Sequence, residues 1–475
     1  MAKKEEREIV VIGAGPAGYA AAFKASDLGL NVTLIGKEAE PGGTCLHEGC
    51  IPVKTLVEVL KIKEEAAKAK DWGMEFTAPK IDVKSLLKWK DETVKKLTEG
   101  IGVLSKDREI EYIRGTATFL SEHEIEVNPH EGDQFTLVFE KVILATGSVP
   151  KELPKAKFDK KRIINSTTAL ELKKIPETML VVGGGFVGPS LGSIYASLGS
   201  KVSLAESTSG ILSWLDQDLA DIFNKQNVEL FTDIFLETMV EEAIVKDDKV
   251  KVSFKNKEKS WEEEYDLVLV AQGREPNTSQ LQLDKAGVEI DEEGFVQVDE
   301  SRKTSNENIY AIGDITEKPF YANKASHEGQ LVAEVLAGKE TQGYSLNAIP
   351  SIIATPLTEI AWCGLSEVEA KKQEVEIKVV KFPWSASGRA ASMGIRHGLT
   401  KLIIDKESGR IVGGGVVGEK AGSLIAEIAF AIEMSASAED VALTMHPHPT
   451  LSETIMEAAE SYFGSPTHLA GKKND

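Results

Sequence analysis

The chain has 475 residues, 42% of them hydrophobic, enough for two to four domains with real cores. Its formal charge of −20 argues against broad binding to nucleic-acid phosphates, which needs basic patches. No apolar run reaches the roughly 18 residues that span a membrane. Three cysteines are too few for an extracellular disulfide scaffold, so a working cysteine pair in a reducing cytoplasm reads as catalytic.

The opening residues MAKKEERE are charged and lead directly into a strand pattern, so no signal peptide is expected. EIVVIGAGPAGYAAAFKASDLGLNVTLIG then reads as strand, glycine turn, Ala-rich helix ending near Gly29, and second strand. Gly13, Gly15 and Gly18 fit G-x-G-x-x-G in its required setting. Such glycines let backbone approach a pyrophosphate, and the helix N-terminus supplies free N–H donors and positive dipole.

Next comes GGTCLHEGCIPVK, Gly42 to Lys54, around which the chain is organised. Cys45 and Cys50 stand five residues apart. A disulfide needs Cα atoms within about 7 Å, whereas five residues of regular helix already rise about 7.5 Å. If the thiols bond, the backbone between them is not regular helix, and Gly49 and Pro52 suit a bent entry into the helix that follows. Spacing alone leaves open the blander reading of two small buried residues that never bond. The neighbouring dinucleotide loop favours a pair exchanging electrons with a cofactor.

Residues 55–110 read as two charged amphipathic helices with Trp72–Pro79 as the break, and 111–145 as short strands and turns ending in EKVILATGSVP. The small residues Ala145, Thr146 and Gly147 permit close approach of a ligand or of another backbone. TMLVVGGGFVGPSLGSIYASLGSKVSLAES repeats the first pattern, with Gly183, Gly185 and Gly188 in the turn and Glu206 after the second strand, where a carboxylate can accept from ribose hydroxyls. No Arg follows closely, which favours NAD over NADP. Two such loops imply two dinucleotide sites. YDLVLVAQGREPN and ENIYAIGDI each end an apolar strand on Gly and a charged residue, Asp314 in the second. From about residue 348 the pattern becomes α+β without a glycine fingerprint.

Near the end, MHPHPTLSETIMEAAE places His446, His448 and Glu453 about the start of a helix. A His with a carboxylate partner is a general acid–base arrangement. The same residues also read as a capping box, with Thr450 as N-cap and Glu453 three residues on. No third ligand suggests a metal.

With GAGPAG, GGTCLHEGCIPVK, ATGS, GGGFVG, GREPN, AIGD and HPHPTLSE in order, the chain resembles the dihydrolipoamide dehydrogenases of the disulfide-reductase flavoprotein family over nearly its whole length. NSTTALELK and FPWSASGRA point to the bacterial branch. The resemblance implies an α/β protein with two Rossmann-like domains and a C-terminal α+β dimerisation domain. It divides the chain into a split FAD domain (1–148 and 275–347), an NAD domain (149–274) and a homodimer interface domain (348–475). It makes Cys45 the interchange thiol and Cys50 the thiolate closest to the flavin. His448, reaching across from the partner subunit, is the base, and Glu453 orients it. Lys54 lies near the flavin ring. FAD contacts are implied for Gly13, Gly15, Gly18, Gly36, Lys37, Gly43, Thr44, Ala117, Ala145, Thr146, Gly147, Asp314 and Ala322, and cofactor contacts for Gly273 and Arg274. NAD contacts are implied for Gly183, Gly185, Gly188 and Glu206. The implied partners are lipoyl domains of 2-oxo acid dehydrogenase complexes, or another dithiol substrate.

The chain departs from the family pattern at several positions. Gly36 stands where an acidic residue usually holds the adenosine ribose, so FAD is expected to bind more weakly or through Glu38. Ser190 stands for a Glu that pairs with the lysine beside the flavin, so Lys54 is expected to lack its partner. His47-Glu48 replace Asn-Val, Val53 replaces Ser, and Asn323 replaces His. Two readings follow: a working dehydrogenase with retuned steps, or a diverged paralogue with a binding or regulatory role. The intact Cys45, Cys50, His448 and Glu453 favour the first.

Overall fold

The computed structural model describes residues 3–339 and 348–470. Three sheets organise them. In the first, Lys4–Ile12 lies between two parallel neighbours, Val32–Gly36 and Phe135–Leu144. Glu111–Phe119 extends one side, and Ile309–Ala311 extends the other by pairing with Phe135–Leu144. The apolar runs VVI, VTLI and VIL are buried on both faces, as a parallel sheet requires. The helix Pro16–Asp27 covers this sheet and packs on Ala322–Leu336 so closely that a Cβ on Gly329 would lie 2.4 Å from the Ala17 carbonyl oxygen. The Ala-rich composition of the first helix serves that close approach.

The second sheet repeats the plan with Thr178–Val182 between Lys201–Ala205 and Leu267–Val270, all parallel. The third is antiparallel, running from Ser351–Ala354 through Glu359–Gly364, Ile411–Gly418 and Leu399–Asp405 to Ile377–Pro383. Helices Ala421–Glu433 and Glu453–Glu460 share its core. The indole of Trp384 is fully buried there and donates to Thr400 Oγ1 at 3.0 Å. The boundary expected at 347/348 falls at the edge of residues outside the described set.

The helix Cys50–Lys68 ties the three units together. Leu56, Val57 and Leu60 join one core with Leu191 and Ile194 of the second unit and Ile353, Ala354 and Ile360 of the third. A fully buried Lys401 fastens the second unit to the third. Its Nζ lies 2.7 Å from Asp216 and 3.0 Å from Asp218, and it also pairs with Glu367. Those three carboxylates are the one acid cluster compact enough for a metal among the described residues, and the ammonium sits among them. No helix among the described residues is long and apolar enough to cross a membrane.

The capping box expected at Thr450 is half formed. The Thr450 N–H donates to Glu453 Oε2 at 2.7 Å, but the Thr450 hydroxyl donates to the Pro447 carbonyl. The helix starts at Glu453 with Ser452 as N-cap, because the prolines hold Thr450 outside the first turn.

Candidate active site

One cleft of about 1910 Å³ runs between the first and second units and is roofed in part by the third. Both glycine turns open into it. At Gly13 (φ +110°) an added Cβ would lie 2.1 Å from the Ala145 carbonyl oxygen, and at Gly18 one would lie 1.7 Å from the Gly13 carbonyl oxygen. Only glycine permits this turn to sit against the strand exit Ala145–Gly147. Gly13, Gly15, Ala117, Ala145, Thr146 and Gly147 line the cleft, together with Gly36, Lys37, Gly43, Thr44, Gly273, Arg274, Asp314 and Ala322. Gly183, Gly185 and Glu206 line its other arm. Gly18 and Gly188 face the strands behind the turns instead.

The redox loop forms the floor. A short helix, Gly43–Glu48, breaks at Gly49 (φ −144°, ψ −108°), and the next helix begins at Cys50. This is the bend that the five-residue spacing requires. Cys45 and Cys50 are free thiols, and each shifts the ionisation of the other. Cys45 brings Cys50 down to about 7 against the cost of burial, with help from the Lys54 ammonium. Cys45 is pushed up by the same pairing and by burial. The pair therefore divides its roles: Cys50 holds the thiolate, and Cys45 keeps its proton.

Lys54 lies one turn after Cys50 in the same helix. Burial lowers its pKa, and Glu359 and Cys50 oppose that shift. No ion pair to Lys54 forms among the described residues; Glu359, in the strand Glu359–Gly364, adds a negative charge to its surroundings. Ser190 does not substitute for that charge. It is buried, and its hydroxyl donates to the Ala354 carbonyl at 2.8 Å.

On the opposite wall, Ser148 joins two segments. Its hydroxyl donates to Asp314 Oδ2 at 2.6 Å and accepts from Arg274 Nε at 2.7 Å. Burial raises the Asp314 carboxyl, while Ser148 and Arg274 pull it back. The Gly313 N–H donates to the buried Glu328 at 2.5 Å, which pins the turn presenting Asp314. Asn323 donates to the Pro350 carbonyl at 2.9 Å.

A glycine cradle closed to any Cβ, a half-buried carboxylate at a strand end and a thiolate in the same cleft fit a flavin dinucleotide. The second arm fits a nicotinamide dinucleotide: Glu206 Oε2 accepts from the Gly184 N–H at 2.7 Å, so its carboxylate stands at the mouth of the second glycine turn.

Sequence reasoning missed Ser148, Glu359 and an aromatic cluster at the cleft. Phe186 packs on Tyr321 and Trp362 at 5.6 and 6.3 Å. An aromatic at the variable position of G-x-G-x-x-G was the available signal for Phe186.

His448 and Glu453 do not reach the cleft within one chain. His448 Nδ1 lies 2.7 Å from Glu453 Oε1, and the imidazole side chain is 74% exposed. Burial opposes the Glu453 charge, yet the Thr450 N–H and His448 hold its carboxyl below the usual range. His446 is separated from this pair and bonds to Glu427 at 2.6 Å. In the same unit Phe430, Met434, Leu443 and Met445 are exposed, large apolar side chains that a lone chain leaves in water.

Residues 7–329 match the model of the pyridine nucleotide-disulphide oxidoreductases, and residues 349–459 match that family's dimerisation domain. The chain belongs to the pyridine nucleotide-disulphide oxidoreductase family. The match to the dimerisation domain supports a homodimer. A protein of Haemophilus influenzae named dihydrolipoyl dehydrogenase is 42% identical over the whole of this chain and 98% of its own length. A Geobacillus stearothermophilus protein of the same name is 38% identical over 98% of both chains. Among solved structures, LpdA from Mycobacterium tuberculosis superposes with a TM-score of 0.89 at 26% identity, covering 96% of this chain and 99% of that one. The HOCl-induced flavoprotein disulfide reductase RclA of Escherichia coli gives 0.83 at 26% identity, covering 95% and 99%.

Proposed function

We propose that the protein is a dihydrolipoyl dehydrogenase: it oxidises protein-bound dihydrolipoamide to lipoamide and reduces NAD+, through Cys45, Cys50 and bound FAD. The observation that carries this reading is the thiol pair on the floor of one cleft shared by two glycine-turn arms. Full-length relatives of that name support it. We assign residues 1–148 and 275–347 to the FAD domain, 149–274 to the NAD domain and 348–475 to the dimer interface.

In this reading Gly13, Gly15, Gly43, Thr44, Ala145, Thr146 and Gly147 hold the flavin pyrophosphate region, with Asp314 and Ala322 beyond it, while Gly18 lets the first turn close on itself. Gly36, Lys37 and Ala117 face the adenosine end, and Gly273 and Arg274 close the wall. Gly183, Gly185 and Glu206 hold NAD, while Gly188 lets the second turn close on itself. Bound FAD supplies the two-electron carrier between dithiol and nicotinamide. The chain's own residues handle protons and sulfur. The partner subunit's His448, held in its tautomer by Glu453, takes a proton from a substrate thiol. The thiolate attacks Cys45 Sγ of the oxidised pair, and the Cys45–Cys50 bond breaks with its electrons on Cys50. The second substrate sulfur then attacks the first, forming the lipoamide disulfide and releasing Cys45. Cys50 is the better leaving group because its thiolate is the stabilised one. Lipoyl domains are the expected substrate carriers and the cytoplasm the expected compartment.

The test is NADH formation at 340 nm from dihydrolipoamide and NAD+ by the purified yellow protein. Cys45→Ser is expected to lower turnover by at least about a thousandfold while the flavin stays bound. A variant that keeps the wild-type rate sinks the proposal.

A further inference from the structure

The second arm of the cleft carries a row of aromatic rings that the reaction above does not use. Phe186 directly follows Gly185 in the second glycine turn and lines the cleft. Its ring lies 5.6 Å from that of Tyr321 in the first unit and 6.3 Å from that of Trp362 in the third. Trp362 in turn meets Trp214 edge to face, with centroids 5.1 Å apart and planes at 70°. Four rings from three units thus touch in series, from Tyr321 on the flavin side to Trp214 on the nicotinamide side. The segment bearing Trp214 is tied to the glycine turn, because the Leu212 N–H donates to the Gly184 carbonyl at 3.0 Å. Trp362 packs against the core that the three units share. Phe186 and Trp214 both line the cleft, yet they stay 38% and 49% exposed. Rings this open, fixed from behind by other rings, are a contact surface and not core packing.

The row has a definite place along a bound dinucleotide. Glu206, whose carboxylate accepts from the Gly184 N–H at 2.7 Å, marks the adenosine ribose on one side of the turn. Phe186 leaves the turn on the side that meets Tyr321 of the flavin unit, and the nicotinamide half must lie there to reach the flavin. That half changes charge in the reaction. The pyridinium of NAD+ is a cationic ring, whereas the dihydropyridine of NADH is neutral. A cation is attracted to the face of Trp or Phe by the ring quadrupole, and a neutral ring lacks that term. Deepening the reading above, on which this rests, we propose that Phe186 and Trp214 form a nicotinamide subsite that selects the oxidised, cationic form. They are specificity-determining residues: Glu206 chooses the ribose, and the aromatic row chooses the redox state. The row favours entry of NAD+ and exit of NADH, the direction that dihydrolipoamide oxidation requires.

The test is isothermal titration of the oxidised holoenzyme with three ligands that do not react with it: NAD+, its neutral tetrahydro analogue, and ADP-ribose. It reads affinity and needs no turnover. Trp214→Leu is expected to weaken NAD+ by at least about threefold and the other two ligands by less than about twofold. Phe186→Leu should act in the same sense, and it carries the test if Trp214→Leu does not fold. Trp214→Phe keeps an aromatic face and should recover part of the NAD+ affinity. A merely structural role would move all three ligands alike, so an equal loss for all of them overturns the proposal. Equal losses for NAD+ and the neutral analogue overturn it too, as do three unchanged affinities. Failure of this kind, with wild-type NADH formation intact, leaves the dehydrogenase reading standing. A wild-type protein that binds none of the three ligands removes both.

Discussion

The two dinucleotide units are alike at the turn and different at the strand that follows it. Gly13 and Gly183 take φ of +110° and +111°, and each is pressed against the exit of a neighbouring strand. In the second unit the next strand hands over to Glu206, whose carboxylate accepts from the Gly184 N–H at 2.7 Å and the Thr208 N–H at 2.8 Å. In the first unit the same place is Gly36, where an added Cβ would lie 2.6 Å from Ala14 Cβ and 2.7 Å from the Tyr112 hydroxyl. Tyr112 reaches over the glycine to donate to the Glu38 carbonyl at 2.8 Å. The phosphate turn is fixed by sterics and so repeats. The ribose end is fixed by side chains and has been solved twice: by a carboxylate in one unit, and by a tyrosine bracing the loop in the other. Glu38 lines the cleft there, so a carboxylate still stands at that end of it.

The largest effect that bears on this comparison comes from the turns themselves. Gly13→Ala forces a Cβ to 2.1 Å from the Ala145 carbonyl oxygen, and Gly183→Ala forces one to 2.6 Å from the Ala271 carbonyl oxygen. Gly13→Ala is expected to yield a colourless or insoluble protein. Gly183→Ala should stay yellow but lose at least about a hundredfold in kcat/KM for NAD+. Flavin absorbance and steady-state kinetics separate the two, and a Gly13→Ala protein with full flavin content breaks the assignment of the first turn.

Next in size is Gly36. If Tyr112 fills the space of the missing side chain, Gly36→Ala overpacks the site and costs about 1–3 kcal/mol, read as a lower midpoint in urea. Tyr112→Phe should recover part of that loss in the double variant by removing the hydroxyl. A Gly36→Ala protein as stable as wild type shows that the bracing is incidental. For the second unit, Glu206→Ala is expected to raise the KM for NAD+ about tenfold, close to 1.4 kcal/mol, with kcat little changed. The wild-type protein should use NADP+ at least about tenfold less well than NAD+. Equal kcat/KM for the two nucleotides would remove the role given to Glu206.

What could be read from the sequence follows the same division. The glycine turns, the bend between Cys45 and Cys50, the Trp72–Pro79 break and the His448–Glu453 pair are all local, set by residues within one turn or one loop of each other. The family motifs extended that reading to the fold and the cofactors. The pairings that tune the site are remote. Ser190 and Ala354 are 164 residues apart, and Ser148 and Asp314 are 166 apart. The Glu359 charge that acts on Lys54 comes from a strand of another unit. Nothing in spacing links such residues, because the register of three separately folded units decides them. Only Ser190 could be compared with the family pattern, so the charge of Glu359 in the surroundings of Lys54 was not legible.

The smallest effect concerns that lysine. Lys54 and Cys50 lie one turn apart on the helix Cys50–Lys68, and the ammonium helps hold Cys50 at about 7. Cys45 makes the larger contribution, so Lys54→Met should raise the Cys50 midpoint by only about half a unit. The sign is fixed by charge: the thiolate loses a cationic neighbour, so a higher pH is needed to form it, and alkylation at pH 7 slows. Glu359→Gln acts on the same lysine in the opposite sense to Cys50: with one fewer negative neighbour, burial pulls Lys54 further down. Of the two anions that raise Lys54, the Cys50 thiolate is then the one left. The two groups then titrate together, and the Cys50 curve in Glu359→Gln should broaden without a large change of midpoint. A sharp single-site curve in that variant would show that Glu359 is a bystander and that the second unit's Ser190 has no compensating charge in the third.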